Sequence, residues 1–347
     1  MVKKIRVLVV DDSALMRQLL TGILSRDPAI EVVGTAADPY FARGKIKSLS
    51  PDVVTLDVEM PRMDGLTFLE KLMRAHPLPV LMVSALTEQG CETTLRALEL
   101  GAVDFVTKPR LDVAERMGEV GEEIIEKVKA AAQAKVLAYR TSRPPRIESA
   151  RLSKGSEDVV VVGASTGGTE ALRVLLTALP PDTPGMVIVQ HMPELFTRAF
   201  ANRLDGLCAV RVREASDGDR VLPGHVLLAP GNHHITLTRS GAHYAVELGK
   251  GLPVNHHRPS VDVLFESCAR VAGPNAVGII MTGMGADGAT GLLEMKRAGA
   301  RTLAQDEQSS VVFGMPKAAV ELGAVDKILP LSELPRALLT ALGGVPE

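Results

Sequence analysis

The sequence contains no tryptophan, and aromatic residues make up only 3% of the chain. It therefore has few of the flat side chains on which proteins stack nucleic-acid bases. The chain also has no excess of positive charge, with 39 Lys+Arg and 41 Asp+Glu. Nucleic acids are polyanions and bind basic surfaces, which this balance does not favour. These two absences predict that nucleic acid is not a partner.

Long hydrophobic runs and paired cysteines are missing as well. Apolar runs such as residues 159–164 have the length of a strand, whereas a membrane helix needs about 20 residues. The first apolar run is cut off by Asp11 and Asp12, which is not typical of a signal peptide. The cysteines are odd in number and have no metal-ligand spacing. We therefore expect a cytoplasmic protein with reduced thiols and no membrane insertion.

Apolar residues, at 46%, are as frequent as in ordinary globular proteins, and they follow a regular pattern through residues 1–110. Met16, Leu19, Leu20 and Ile23 recur at helical spacing after a continuous apolar run, and other helical stretches separate further β-branched runs. This alternation is typical of a parallel sheet with helices on both faces. The predicted strands lie at residues 5–10, 32–36, 53–56, 80–83 and 103–106.

The pattern stops at residues 127–154 and then resumes. This stretch carries eight Lys/Arg against one acidic residue, Glu148, and it contains Pro144-Pro145, through which a helix cannot continue. The second series has predicted strands at residues 159–162, 186–189, 226–228, 277–281 and 302–304. We predict two α/β domains with doubly wound parallel sheets, at residues 1–125 and 155–347, joined by a linker at 126–154.

Three carboxylates are predicted to meet in the first domain. Asp11 and Asp12 follow the first strand and Asp57 follows the third, and these strands are neighbours in a doubly wound sheet. Each aspartate alone is explained as a helix cap, but together they suit a hard divalent cation that neutralises their repulsion. Ser84 ends the fourth strand and Lys108 follows the fifth. Their hydroxyl and ammonium suit a phosphoryl group attached to one carboxylate.

This combination resembles a two-component receiver domain over residues 3–125. The resemblance implies that Asp57 is the phosphoacceptor and that Mg²⁺ is held by Asp12 and Asp57, with Asp11 acting mainly through water. The backbone carbonyl of Glu59 is implied as the remaining protein ligand. The residues implied to respond to the phosphoryl group are Ser84, the switch hydroxyl, and Lys108, the phosphate partner.

In the second domain, the segment Gly163-Ala-Ser165-Thr-Gly167 follows the first strand and opens a helix, as the G-x-S-x-G motif requires. A serine on such a turn is exposed, and amides at the helix start lie nearby to bind an oxyanion. His191 and Asp287 each follow another predicted strand, so a nucleophile, a base and an orienting acid can meet at one sheet edge. The order Ser…His…Asp does not support membership of the α/β-hydrolase family.

Residues 283–288 also permit another interpretation. They read G-x-G-x-x-G between a strand and a helix, and Asp306 lies 23 residues after the first glycine, as in a dinucleotide-binding fingerprint. An NAD(P)-dependent oxidoreductase is therefore an alternative, although Asp287 is equally explained by the serine hypothesis. The histidine pairs at 233–234 and 256–257 lack the spacing of a zinc site.

The two halves together resemble the chemotaxis-type protein-glutamate methylesterase family over nearly the whole chain, most specifically in GASTGG at 163–168, QHMP at 190–193 and TGMGADG at 282–288. This resemblance implies a phosphorylation-regulated hydrolase that removes methyl esters from glutamate side chains of chemoreceptors and deamidates receptor glutamines. The roles that it implies are nucleophile for Ser165, general base and acid for His191, orienting group for Asp287 and oxyanion donor for the Met284 amide, with Thr166 at the nucleophile turn.

The resemblance also implies partners and a fold. It implies methyl-accepting chemoreceptors as substrate, a sensor histidine kinase as phosphodonor, Mg²⁺ in the receiver and no cofactor in the catalytic domain. The implied fold is a flavodoxin-like receiver with a Rossmann-like three-layer hydrolase domain. One serine site can hydrolyse both esters and amides, because both reactions pass through a tetrahedral oxyanion. A non-enzymatic response regulator that only binds a partner is the third interpretation, which an incomplete triad would favour.

Overall fold

The computed structural model describes residues 3–60, 63–85, 87–109, 117–136, 147, 157–241 and 243–343. It divides the chain into two units, Met1–Thr141 and Ser142–Glu347. Much of the predicted linker at 126–154 lies outside the described residues, but its beginning belongs to a helix that ends at Gln133. The boundaries 1–125 and 155–347 stay predictions. None of the described helices is long and apolar enough to span a bilayer.

The first unit has a five-stranded parallel sheet in the order β2-β1-β3-β4-β5. Its strands are β1 (Ile5–Val10), β2 (Ile30–Ala36), β3 (Val53–Asp57), β4 (Val80–Ser84) and β5 (Asp104–Thr107). The helices between and after them are α1 (Ala14–Leu24), α2 (Pro39–Leu49), α3 (Gly65–Ala75), α4 (Glu88–Glu99) and α5 (Met117–Gln133). Every predicted strand of this unit is present, and β1 lies beside β3 as predicted.

The second unit is built on a seven-stranded parallel sheet in the order β14-β13-β12-β6-β7-β9-β8. Its strands are β6 (Val159–Ala164), β7 (Met186–Gln190), β8 (Arg211–Glu214), β9 (His225–Leu228), β12 (Ala276–Ile280), β13 (Arg301–Gln305) and β14 (Lys327–Leu329). The first strand, β6, is flanked by β7 and β12, so the strand order reverses there. Ligand sites of doubly wound sheets form at this reversal.

Six described helices accompany this sheet: α6 (Gly168–Thr177), α7 (Phe196–Asp205), α8 (Val261–Val271), α9 (Ala289–Arg297), α10 (Met315–Glu321) and α11 (Leu334–Ala341). The central strands are buried throughout, which explains their uninterrupted apolar sequences. The α/β fold class of both units is confirmed.

The sequence patterns did not predict β8, β14 or a separate antiparallel hairpin formed by β10 (His234–Ser240) and β11 (His243–Gly249). The hairpin strands alternate buried and exposed positions only in part, and β14 is mostly exposed. Short strands of mixed polarity lack the continuous apolar runs on which the predictions relied. Leu237 and Val246 of the hairpin are buried in the same core as the sheet.

Close packing of α8 on β6 requires a glycine in the strand. A Cβ atom on Gly163 would lie 2.2 Å from Cγ1 of Val261, the first residue of α8, and 2.9 Å from its Cγ2. Valine is short and stiff, so it cannot move aside without moving the helix. The glycine therefore sets how near α8 approaches the sheet.

We expect Gly163→Ala to lower the free energy of unfolding by about 1–3 kcal/mol, because the added methyl group overpacks this contact. Urea denaturation followed by circular dichroism measures the change. Gly206→Ala is the matched control, since a Cβ at Gly206 lies 3.7 Å from its nearest neighbour and φ there is −70°. Equal stability of the two variants would contradict the packing argument.

Candidate active site

Ser165 lies on a sharp turn between β6 and α6. Gly167 adopts a left-handed conformation with φ 77°, and the Gly168 amide donates to the Ser165 carbonyl at 2.7 Å. The Ser165 amide donates to the Thr282 carbonyl at 3.0 Å, which ties the turn to the segment after β12. Ser165 is only half-buried, so this turn is partly open to solvent.

His191 lies next to this turn because β6 and β7 are paired. Their register places Ala164 opposite Gln190, and the His191 amide donates to the Ala164 carbonyl at 3.1 Å. The Gln190 side chain donates from Nε2 to the Ser165 carbonyl at 2.9 Å. Ser165 is the residue after Ala164, and His191 is the residue after Gln190. The structure therefore brings Ser165 and His191 together at the carboxyl edge of the sheet.

Asp287 lies in the loop between β12 and α9, and its carboxylate meets the His191 ring. Oδ2 of Asp287 lies 2.8 Å from Nε2 of His191. The carboxylate is buried and accepts further bonds from the start of α8 and the loop before it. These donors are Asn255 Nδ2 at 2.8 Å, Ser260 Oγ at 2.7 Å, the Val261 amide at 2.7 Å and the Asp262 amide at 3.3 Å.

These donors keep Asp287 ionised. Burial alone would raise the pKa of Asp287, but the bond and charge of His191, with the Asn255 and Ser260 bonds, hold its pKa well below the ordinary value. An ionised carboxylate only accepts hydrogen bonds, so Nε2 of His191 must carry the proton in this pair.

The other ring nitrogen of His191 is left as a proton acceptor. Nδ1 is buried and has no hydrogen-bond partner among the residues that the structure describes. In a neutral imidazole with its proton on Nε2, Nδ1 holds the free lone pair. This nitrogen can take a proton from a neighbouring hydroxyl.

Backbone amides lie beside the serine. A Cβ on Gly283 would lie 2.8 Å from Cβ of Ser165, so only glycine lets this segment approach so closely. The next amide, of Met284, meets no acceptor within the described ranges. Thr166 is buried, and its carbonyl accepts a 2.9 Å bond from the Thr282 hydroxyl. A donor beside the nucleophile can stabilise an oxyanion.

Sequence reasoning missed the residues that hold Asp287 from the α8 side. Residues 258–262, Arg-Pro-Ser-Val-Asp, did carry a signal for the start of a helix. Ser260 stands directly before an apolar helical run, as an N-cap residue does. No such signal marks Asn255, whose φ of 51° and distant partners depend on tertiary structure.

The dinucleotide interpretation does not fit this geometry. The segment 283–288 packs against Ser165 and Met315 at its first glycine, and its aspartate is bound to His191. Asp306, the candidate ribose ligand, instead accepts bonds from the Ser309 amide at 2.9 Å and hydroxyl at 2.6 Å, as a turn residue does.

The first unit gathers the predicted acidic residues. Asp11, Asp12 and Asp57 each offer a carboxylate oxygen, and the three oxygens lie within 4.8 Å of one another. Asp11 and Asp57 are buried and Asp12 is exposed. The Glu59 amide donates to Oδ1 of Asp57 at 3.2 Å. Carboxylate oxygens this close together suit a hard divalent cation, which prefers oxygen ligands.

Lys108 partly neutralises this cluster. Its Nζ lies 2.7 Å from Oδ2 of Asp57 and 3.3 Å from Oδ2 of Asp11. Even so, burial, with the nearby Asp11 charge, raises the pKa of Asp57 to about 6. Ser84 ends β4 beside Thr107 of β5, and its buried hydroxyl lies 3.3 Å from the Ala85 carbonyl. All the predicted residues of this cluster therefore share one edge of the sheet.

Comparisons with known proteins identify the family of each unit. The family described as CheB methylesterase matches residues 160–338, and the response regulator receiver domain matches residues 7–115. A protein-glutamate methylesterase/protein-glutamine glutaminase of Bordetella parapertussis is 61% identical and covers 98% of both chains. A protein of Geobacter metallireducens with the same designation, numbered 1, is 58% identical over 96% of this chain and 95% of its own.

A solved structure resembles the second unit. The Thermotoga maritima CheB methylesterase catalytic domain is 38% identical, with a TM-score of 0.52, and the match covers 53% of this chain and 97% of that one. Neither an oxidoreductase nor a non-enzymatic regulator is supported by these relatives. The chain belongs to the CheB methylesterase family, and it carries a response regulator receiver domain before the methylesterase domain.

Proposed function

We propose that this chain hydrolyses methyl esters of glutamate side chains in methyl-accepting chemoreceptors, with Ser165 as nucleophile, His191 as general base and acid, and Asp287 as the orienting carboxylate. The observation that carries this proposal is the 2.8 Å bond between Asp287 Oδ2 and His191 Nε2, beside a half-buried serine. This arrangement leaves His191 Nδ1 as the acceptor next to the serine turn.

In the first half of the reaction, Oγ of Ser165 attacks the ester carbonyl carbon while His191 Nδ1 takes the hydroxyl proton. The carbonyl oxygen becomes an oxyanion, which the Met284 amide stabilises next to the turn that contains Thr166. The Asp287 carboxylate stabilises the imidazolium. The tetrahedral intermediate collapses as His191 returns the proton to the methoxy oxygen, and methanol leaves.

In the second half, water attacks the glutamyl ester on Ser165, and His191 takes a proton from that water. Collapse of this second intermediate returns the proton to Oγ and releases the glutamate side chain. A glutamine side chain follows the same steps with ammonia as leaving group, so one site serves the deamidation that the names of the relatives describe.

For the receiver, we propose Asp57 as phosphoacceptor, with a sensor histidine kinase as phosphodonor. Asp11, Asp12, Asp57 and the Glu59 carbonyl would hold Mg²⁺, which supplies charge neutralisation for the phosphoryl group. The close carboxylates support this assignment. Lys108 already pairs with Asp57 and would pair with the phosphoryl oxygens. The switch residue that would respond, and so relay phosphorylation to the esterase activity, is Ser84.

We expect alanine at Ser165, His191 or Asp287 to lower kcat roughly 10³-fold or more, because the three groups act as one unit. Methanol release from methylated receptor measures the rate. Ser332→Ala is the matched control, since Ser332 is an exposed serine of the same unit. Near-normal methanol release by Ser165→Ala would overturn the proposal.

We expect acetyl phosphate to label wild-type protein in the presence of Mg²⁺ and to leave Asp57→Asn unlabelled. Asp182→Asn, an exposed aspartate of the second unit, should label normally.

Since burial raises the pKa of Asp57 to about 6, a proton competes with the cation below that pH. Calorimetry should then show Mg²⁺ affinity falling roughly tenfold for each pH unit below 6 and levelling off above pH 7.

Two results would contradict the receiver assignment. Label that persists in Asp57→Asn would place the phosphoacceptor elsewhere. Mg²⁺ affinity in Asp57→Asn equal to that of wild type at neutral pH would exclude this carboxylate as a ligand.

A further inference from the structure

A second histidine ring lies flat against His191. The ring centroids of His191 and His257 are 3.8 Å apart, and the ring planes differ by 19°. His191 is buried, and His257 is half-buried in the loop before α8. This second ring takes no part in the proposed reaction steps.

A tight turn presents His257 to the site. Val254 and His257 exchange backbone hydrogen bonds of 3.0 and 2.9 Å, so that only two residues form the turn between them. Both of these, Asn255 at φ 51° and His256 at φ 65°, have left-handed backbones, as in a type I′ turn. Asparagine and histidine adopt this conformation more often than most residues do, and glycine is the preferred residue at the second position.

The turn is anchored on the carboxylate that also holds His191. Asn255 Nδ2 bridges Oδ2 of Asp262 and Oδ1 of Asp287, at 2.8 Å each. At the other end of the loop, Ser260 Oγ bonds Asp287 at 2.7 Å. Both ends of the segment that carries His257 are therefore fixed to the candidate triad, and these bonds hold the turn in place.

One hydrogen bond does not fix the orientation of an imidazole ring. The described residues bond the His191 ring only at Nε2, through Asp287, and the ring can tilt about that bond. A flat partner at stacking distance prevents this tilt, because tilting would drive one ring into the other. The position of Nδ1 relative to Ser165 then depends on the stack as well as on the carboxylate.

We propose that His257 is a positioning residue for ester hydrolysis: its ring face holds the His191 imidazole with Nδ1 aligned to the serine turn. This role rests on the proposed triad. The ring face carries this role, so we expect a phenylalanine at position 257 to retain it and a polar side chain without a ring to lose it.

The test compares wild type with three variants at position 257, using methanol release from methylated receptor. His257→Ala and His257→Gln should lower kcat about 10- to 100-fold, because a small misplacement of a base slows proton transfer strongly. KM should change less than about twofold in both, since the acyl group binds as before. His257→Phe keeps the ring face and should stay within about threefold of the wild-type kcat.

His256→Gly is the matched control, because it removes the adjacent imidazole while giving the turn its preferred residue. Its kcat should stay within about twofold of wild type. Thermal unfolding of each variant identifies any that is unfolded at the assay temperature, and the variants that stay folded decide the comparison.

Three outcomes would overturn the role of His257. These are an unchanged kcat in His257→Ala, a Phe variant as slow as the Ala variant, and a His256→Gly loss as large as that of His257→Ala. Ser165→Ala separates this proposal from the triad. If Ser165→Ala is inactive while His257→Ala is normal, only the positioning role is wrong, and if Ser165→Ala remains active, the triad itself is wrong.

Discussion

The geometry of the second unit depends on one buried carboxylate. Asp287 has five donors, and they come from three parts of the chain: His191 after β7, the Asn255–Ser260 loop and the first amides of α8. A buried charge is costly unless such donors satisfy it, so these elements must all approach Asp287 for the unit to be stable. The same bonds that stabilise the fold therefore orient the imidazole.

Parallel strands and small residues make this convergence possible. β6 lies between β7 and β12, so the segments after all three strands meet at one edge. Gly163 lets α8 approach β6, and Gly283 lets the segment after β12 approach Ser165. A larger residue at either position would separate a donor from its acceptor, which links the glycines of the sequence motifs to the chemistry at the edge.

The central strands and the residues that follow them were predictable from the sequence alone, because both depend on local sequence pattern. The central strands are buried along their whole length, so their apolar runs were recognisable, and Ser165, His191 and Asp287 each follow such a run closely. The β10–β11 hairpin was missed because its burial alternates only in part. Asn255 and His257 were missed because their contacts join residues far apart in the chain, and a histidine pair in a loop gives no periodic signal.

The proposed mechanism depends on the ionised Asp287 carboxylate, which fixes the proton of the neutral His191 ring on Nε2 and leaves Nδ1 as the proposed base. Nitrogen-15 NMR of the histidine side chains in wild-type protein, with His191 assigned by comparison with a His191→Gln variant, measures this tautomer directly. We expect the neutral His191 ring to carry its proton on Nε2, with Nδ1 unprotonated. A neutral ring protonated on Nδ1 would contradict the account.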